Sequence, residues 1–131
     1  MLKQISVWAL AVSTITIAGH AQQPNATWTE LQRGDLSVPG REGVTMTIVV
    51  PPGGQSARHS HPGEDFGYLL AGTAVLEFDD GERKTLAAGD AYLIQRGRVH
   101  HARNIGRTPA RFLDTYVIDK GQPVVIPAPS R

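Results

Sequence analysis

The pattern of apolar and polar positions changes character twice along the chain. Residues 5–19 (ISVWALAVSTITIAG) carry no charge, follow Lys3 and lead into Gly19-His20-Ala21, with small residues at the two positions that signal peptidase reads. A membrane span needs about 20 predominantly apolar residues. This run is shorter and is diluted by Ser13, Thr14 and Thr16. It therefore reads as an export signal over 1–21, cleaved after Ala21, and the mature chain starts at Gln22. Residues 22–43 are polar and punctuated by Pro and Gly. They form an N-terminal extension that covers or lengthens a domain edge.

From residue 44 the chain reads as short strands between turns, with no amphipathic stretch of helix length. Residues 44–50 (VTMTIVV) are β-branched and stop at Pro51-Pro52-Gly53-Gly54. Residues 65–71 run to Gly72, and 74–78 alternate before Asp79-Asp80-Gly81, a hairpin signal. Leu86 closes a further strand, and 91–94, 99–104 and 110–118 complete the set, separated by Gly97, Gly106 and Pro109. Many short strands at near-even spacing predict an all-β antiparallel barrel or sandwich over 44–121. The tail, 122–131, contains Pro123, Pro127 and Pro129 and is expected to run extended along the surface. Met46, Ile48, Leu69, Val75, Leu93 and Phe112 are the expected inward side chains. Phe66, Tyr68 and Tyr92 are expected to pack the barrel.

Composition narrows the chemistry. The chain has 131 residues, a formal charge of +1 and no Cys. Without the leader, Lys+Arg becomes 13−1 = 12 against 12 Asp+Glu. Such a balance lacks the basic stripe of a nucleic-acid binder. The absence of Cys excludes a disulfide scaffold, a thiolate nucleophile and a Cys-held cluster, so any metal must be held by His and carboxylates.

The four mature histidines fall in two clusters, His59/His61 and His100/His101. On an extended strand, side chains two apart share a face, so both rings of His59-Ser60-His61 can reach one ion while Arg58 and Ser60 face away. Pro62-Gly63 turns the chain, Glu64-Asp65 offers oxygen ligands, and His100 opens a strand that can deliver a third nitrogen. Three imidazoles and a carboxylate make a ligand set for a divalent transition metal. Glu64 and Asp65 face opposite sides of a regular strand, so only one can coordinate. His101 faces away from His100 and is read as a surface residue or a hydrogen-bond partner, and Asn104 as structural. The arginines at 96, 98, 103, 107 and 111 are read as solvated.

At these residues the chain resembles the cupins, small β-barrels with two signature motifs. The first, G-x5-H-x-H-x3-E-x6-G, maps onto Gly53, His59, His61, Asp65 and Gly72, with Asp in place of Glu. The second, G-x5-P-x-G-x2-H-x3-N, maps onto Gly89, Gln95, Gly97, His100 and Asn104, with Gln in place of Pro. Only residues 73–88 separate them, the compact spacing of single-domain microbial cupins. The resemblance implies a jelly-roll barrel, or double-stranded β-helix, with His59, His61, Asp65 and His100 as metal ligands at one end. The shortened carboxylate at 65 must approach the ion through a backbone shift, or else leave a weaker, three-His site.

The implied function is that of an exported, periplasmic or secreted cupin binding Fe, Mn, Ni, Cu or Zn. The leading reading is a metal-dependent, dioxygenase-like enzyme on a small organic substrate, with Glu64 as candidate general base. The alternatives are a non-catalytic metal- or ligand-binding cupin and a cupin isomerase, lyase or decarboxylase. The expected partners are a small molecule and a second copy of the chain, with neither nucleic acid nor, after cleavage, membrane.

Overall fold

A computed structural model describes residues 24–131, so the leader expected over 1–21 lies outside the described residues. Ten strands follow one another: β1 (Thr27–Asp35), β2 (Arg41–Val50), β3 (His59–Ser60), β4 (Gly63–Ala71), β5 (Thr73–Phe78), β6 (Arg83–Ala87), β7 (Ala91–Ile94), β8 (His100–Asn104), β9 (Ala110–Asp119) and β10 (Ile126–Pro127). They form two antiparallel sheets, in the orders β1-β2-β9-β4-β7 and β10-β3-β8-β5-β6. This is a two-sheet, antiparallel jelly-roll barrel. Among the described residues, no helix is long and apolar enough to cross a membrane.

The two-residue period of each strand decides which side chains meet in the interior. On β9, Ala110, Phe112, Asp114, Tyr116 and Ile118 are buried and the intervening residues are not. On β4 the buried set is Gly63, Asp65, Gly67 and Leu69. The main core joins Ile48, Leu69, Leu76, Leu86, Ile94 and Phe112, and a smaller cluster of Val44, Tyr116, Ile118 and Val124 closes one end. Gly72 turns β4 into β5 with φ +82°, where a Cβ would stand 2.7 Å from the Pro109 carbonyl oxygen. Only glycine meets both demands without strain.

Three expectations change. Leu93 is exposed, whereas its neighbours Tyr92 and Ile94 are buried, because pairing of Asp65 with Ile94 puts the even-numbered residues of β7 on the inner face. Phe66 and Tyr68 likewise point outward from β4 rather than packing the barrel. The polar segment ahead of residue 44 contains a full strand: β1 pairs along β2 from Thr27–Val49 to Asp35–Glu42, with a bulge between Glu30 and Gln32. Trp28 is the partly buried position of that strand and the others are exposed. This explains why its hydrophobic pattern was faint.

Candidate metal centre

Two short strands and a bend deliver the imidazoles. His59 on β3 pairs directly with His100 on β8, which places their rings side by side, with centroids 4.4 Å apart. His61 lies just beyond β3, before the bend at Pro62, and its ring centroid is 4.8 Å from that of His59 and 5.2 Å from that of His100. The Gly97 amide donates to the His61 carbonyl at 3.0 Å, tying the loop of the second motif to the first. All three rings are buried.

Each imidazole is held the same way. Nδ1 of His59 contacts the Ala57 carbonyl oxygen at 2.7 Å, Nδ1 of His61 that of Val124 at 2.6 Å, and Nδ1 of His100 that of Arg98 at 2.9 Å. A carbonyl only accepts, so each Nδ1 carries the hydrogen, and each Nε2 presents a lone pair to the interior. Nε2 of His59 and of His61 are buried without a partner, as is Asp65 Oδ1. One donor atom from each of the three rings lies within 4.8 Å of the others. Tetrahedral donors bound to one ion at about 2.0–2.2 Å are about 3.3–3.6 Å apart, so the three nitrogens reach one ion after drawing together by up to about 1.5 Å. Asp65 Oδ2 is 3.8 Å from His61 Nε2, beside the three-histidine cluster rather than within it. The residues therefore fit a divalent transition metal.

The electrostatics agree. Burial is the main cause that lowers the proton affinity of all three rings, to about 4 for His61 and about 3 for His100, so they are neutral ligands at neutral pH. Burial, reinforced by the neighbouring Asp114, pushes the Asp65 carboxyl well up. Burial also raises Asp114, to about 6, against the opposing pull of hydrogen bonds from Tyr92 and Tyr116. An apolar site thus holds two adjacent carboxyls and three uncharged imidazoles, a strongly favourable setting for a cation.

The space among these residues is about 20 Å³, room for a water or an ion. Trp28 from β1 lies edge-on to His59 at 5.4 Å, and Tyr116 is 4.5 Å from His61. Ile48, Leu76, Ile94 and Phe112 supply apolar wall, and among the described residues no Lys or Arg lines the space.

The remaining candidates fall elsewhere. Glu64 is on the outer side of β4, ion-paired to Arg41 at 3.0 Å, a placement that does not support a general-base role in the cavity. His101 bonds Glu77 at 2.9 Å on the opposite face from His100. Asn104 is structural: its Nδ2 donates to the Val50 and Thr108 carbonyls, and its Oδ1 accepts from the Gly106 amide. Arg96, Arg98 and Arg103 are engaged by surface carboxylates. Sequence reasoning missed Asp114, Tyr116, Trp28 and the Val124 carbonyl. Alternation on β9 could have marked Asp114 and Tyr116 as inward, since Phe112 was already assigned there. No local signal marks the other two.

Comparison with known proteins places this geometry. The Cupin domain family matches residues 46–116. Oxalate oxidase 1 of Hordeum vulgare is 31% identical over 108 residues, covering 75% of this chain and 54% of the relative. Germin-like protein subfamily T member 3 of Arabidopsis thaliana is 30% identical over 100 residues, covering 70% of this chain and 44% of the relative. The chain thus spans about half the length of these curated relatives. Among solved structures, a conserved double-stranded β-helix protein of Klebsiella pneumoniae superposes with a TM-score of 0.66 at 23% identity, covering 83% of this chain and 91% of that one. With the family match spanning more than half of its length and the two-sheet barrel carrying a three-histidine cluster, the chain belongs to the cupin family.

Proposed function

We propose that this protein is an exported, metal-dependent cupin enzyme with oxygenase-like chemistry on a small organic substrate. The observation that carries the metal is the set of three buried imidazoles whose Nδ1 atoms are all committed to backbone carbonyls, leaving three Nε2 lone pairs facing one another. His59, His61 and His100 hold the ion, with Asp65 as the fourth ligand. When bound, a divalent transition metal supplies Lewis acidity or reactivity toward dioxygen. The protein contributes a largely apolar wall and neutral imidazole ligands, so the ion's charge is only partly cancelled by Asp65. With no Lys or Arg among the described residues that line the wall, the ion is the electrostatic anchor, which favours a compact substrate with an enol, phenol or single carboxylate to ligate it. The leader over 1–21 supports export to the periplasm or beyond. The outer face of the first sheet presents Phe66, Tyr68, Leu70 and Leu93, all exposed, and supports pairing with a second copy.

One observation favours a second reading, a cupin that binds metal without turnover: the space beside the histidines admits only a water-sized group. Elemental analysis of protein purified without chelator, followed by oxygen-uptake and product assays over phenols and enolisable acids, separates the two. About one equivalent of metal with substrate conversion that is lost in His61→Ala supports the enzyme. Stoichiometric metal without any conversion supports the binder, and conversion without oxygen uptake points to a lyase, isomerase or decarboxylase. Failure to take up any metal refutes both readings.

A further inference from the structure

Behind the histidines lies a polar assembly that the metal-ligand set does not account for. It comes from the opposite sheet, and strand register builds it. Asp65 on β4 pairs with Tyr116 on β9 and Ile94 on β7; one step along, Gly67 pairs with Asp114 and Tyr92. Asp65, Tyr92, Asp114 and Tyr116 are all buried. The Tyr92 hydroxyl donates to Asp114 Oδ1 at 2.7 Å and the Tyr116 hydroxyl to Asp114 Oδ2 at 3.2 Å, so both oxygens of Asp114 are pinned. Gly67 makes this possible. A Cβ there would lie 2.0 Å from Tyr92 Cζ and 2.4 Å from its hydroxyl oxygen, so the tyrosine ring occupies the space that any other residue would fill.

Asp65 and Asp114 are diagonal neighbours across β4 and β9 and line the same space, where Asp65 Oδ1 has no hydrogen-bond partner and Asp65 Oδ2 is 3.8 Å from His61 Nε2. An Asp side chain has two torsions, and its carboxyl plane is free to turn unless something fixes it. Asp114, itself immobilised from two sides, is the polar group placed to fix it. We propose that Asp114, clamped by Tyr92 and Tyr116 over Gly67, is a positioning residue that aims the Asp65 carboxylate at the metal held by His59, His61 and His100. The inference rests on the metal site proposed above. The centre is then built by both sheets: one supplies the imidazoles, the other supplies the carboxylate and its clamp.

The test is titration of metal-free protein with cobalt(II), read by the visible ligand-field spectrum, which reports ligand number and geometry. Groups that orient metal ligands change affinity by about 10–100-fold when removed. Asp114→Ala is expected to lower cobalt affinity by that factor and to shift the band. Asp114→Asn, which keeps a polar side chain beside Asp65, is expected to recover affinity to within a few-fold. In an Asp65→Ala background, Asp114→Ala is expected to change affinity less than twofold, because the residue it acts through is gone. An unchanged band and affinity in folded Asp114→Ala overturns the proposal, and so does an equal loss in both backgrounds, which marks a merely structural residue. Should Asp114→Ala fail to fold by circular dichroism, Tyr92→Phe decides: a smaller loss with a shifted band supports the clamp, and no change overturns it. Cobalt uptake by the unaltered protein with unaltered variants refutes the clamp alone. No uptake by the unaltered protein overturns the metal site and the clamp with it.

Discussion

The number of protons released when metal enters the site distinguishes this centre from an ordinary histidine cluster. Three solvated imidazoles with a pKa of about 6.5 would each be roughly 90% protonated at pH 5.5, so metal binding would expel nearly three protons. Affinity would then fall by several hundredfold per pH unit. The burial that depresses His61 to about 4 and His100 to about 3 leaves almost no proton on either ring to lose at that pH, and it lowers His59 in the same direction. A lowered imidazole pKa shifts proton competition below the working range, so affinity does not drop as pH falls through 6.5. The carboxyl pair behaves in the opposite sense. Asp65 is pushed up and Asp114 stands at about 6, so the metal-free pair retains protons at pH 5.5, and the ion displaces one when Asp65 becomes its ligand. The expected release is below two protons, against nearly three for a solvated triad, and the expected slope is below about a hundredfold per pH unit. Calorimetric titration of metal at pH 5.5 in two buffers of different ionisation enthalpy counts the protons directly. A release of two or more would refute the neutral, dehydrated triad. In Asp65→Asn, which has no such proton to give up, the release should fall.

Further expectations concern ligands, packing, access and assembly. His59→Ala, His61→Ala and His100→Ala should each lose bound metal by elemental analysis while keeping the β-sheet circular dichroism spectrum; stoichiometric metal in all three would refute the assigned site. Gly63→Ala forces a Cβ to within 1.8 Å of the Val117 carbonyl oxygen, a backbone clash between β4 and β9, and should cost at least about 1–3 kcal/mol in urea unfolding; an unchanged midpoint contradicts the close approach. Trp28→Ala removes the indole edge from His59 and should speed azide entry to the cobalt-loaded protein by stopped-flow absorption; an unchanged rate means that access lies elsewhere. Phe66→Asp with Leu93→Asp places two charges in one exposed cross-strand pair and should convert a dimer to monomer by analytical ultracentrifugation; a dimer surviving both changes excludes this face.

What was legible in the sequence, and what was not, follows from how far each residue's determinants lie along the chain. Strands β4 to β9 were readable because turn residues such as Gly72, Gly81 and Gly97 punctuate them, each with positive φ in the structure. The three-histidine cluster was readable for a related reason: His59 and His61 are two residues apart, and their partner His100 begins a strand. Residues defined by pairing across the sheets were hidden. Asp114 looks like an isolated acid between Leu113 and Thr115, and it gains its setting only when register brings it opposite Gly67, under Tyr92. Val124 sits in a tail expected to lie along the surface, yet its carbonyl fixes the tautomer of His61 across 63 residues of sequence. Gly67 was silent as well, because its importance is a volume it leaves empty for another strand's side chain. The sequence motif thus names the atoms proposed to bind, and long-range register determines how they are held. A motif-matched centre can therefore differ in strength from another with the same ligands, and the layer of Gly67, Tyr92, Asp114 and Tyr116 is where this chain would express that difference.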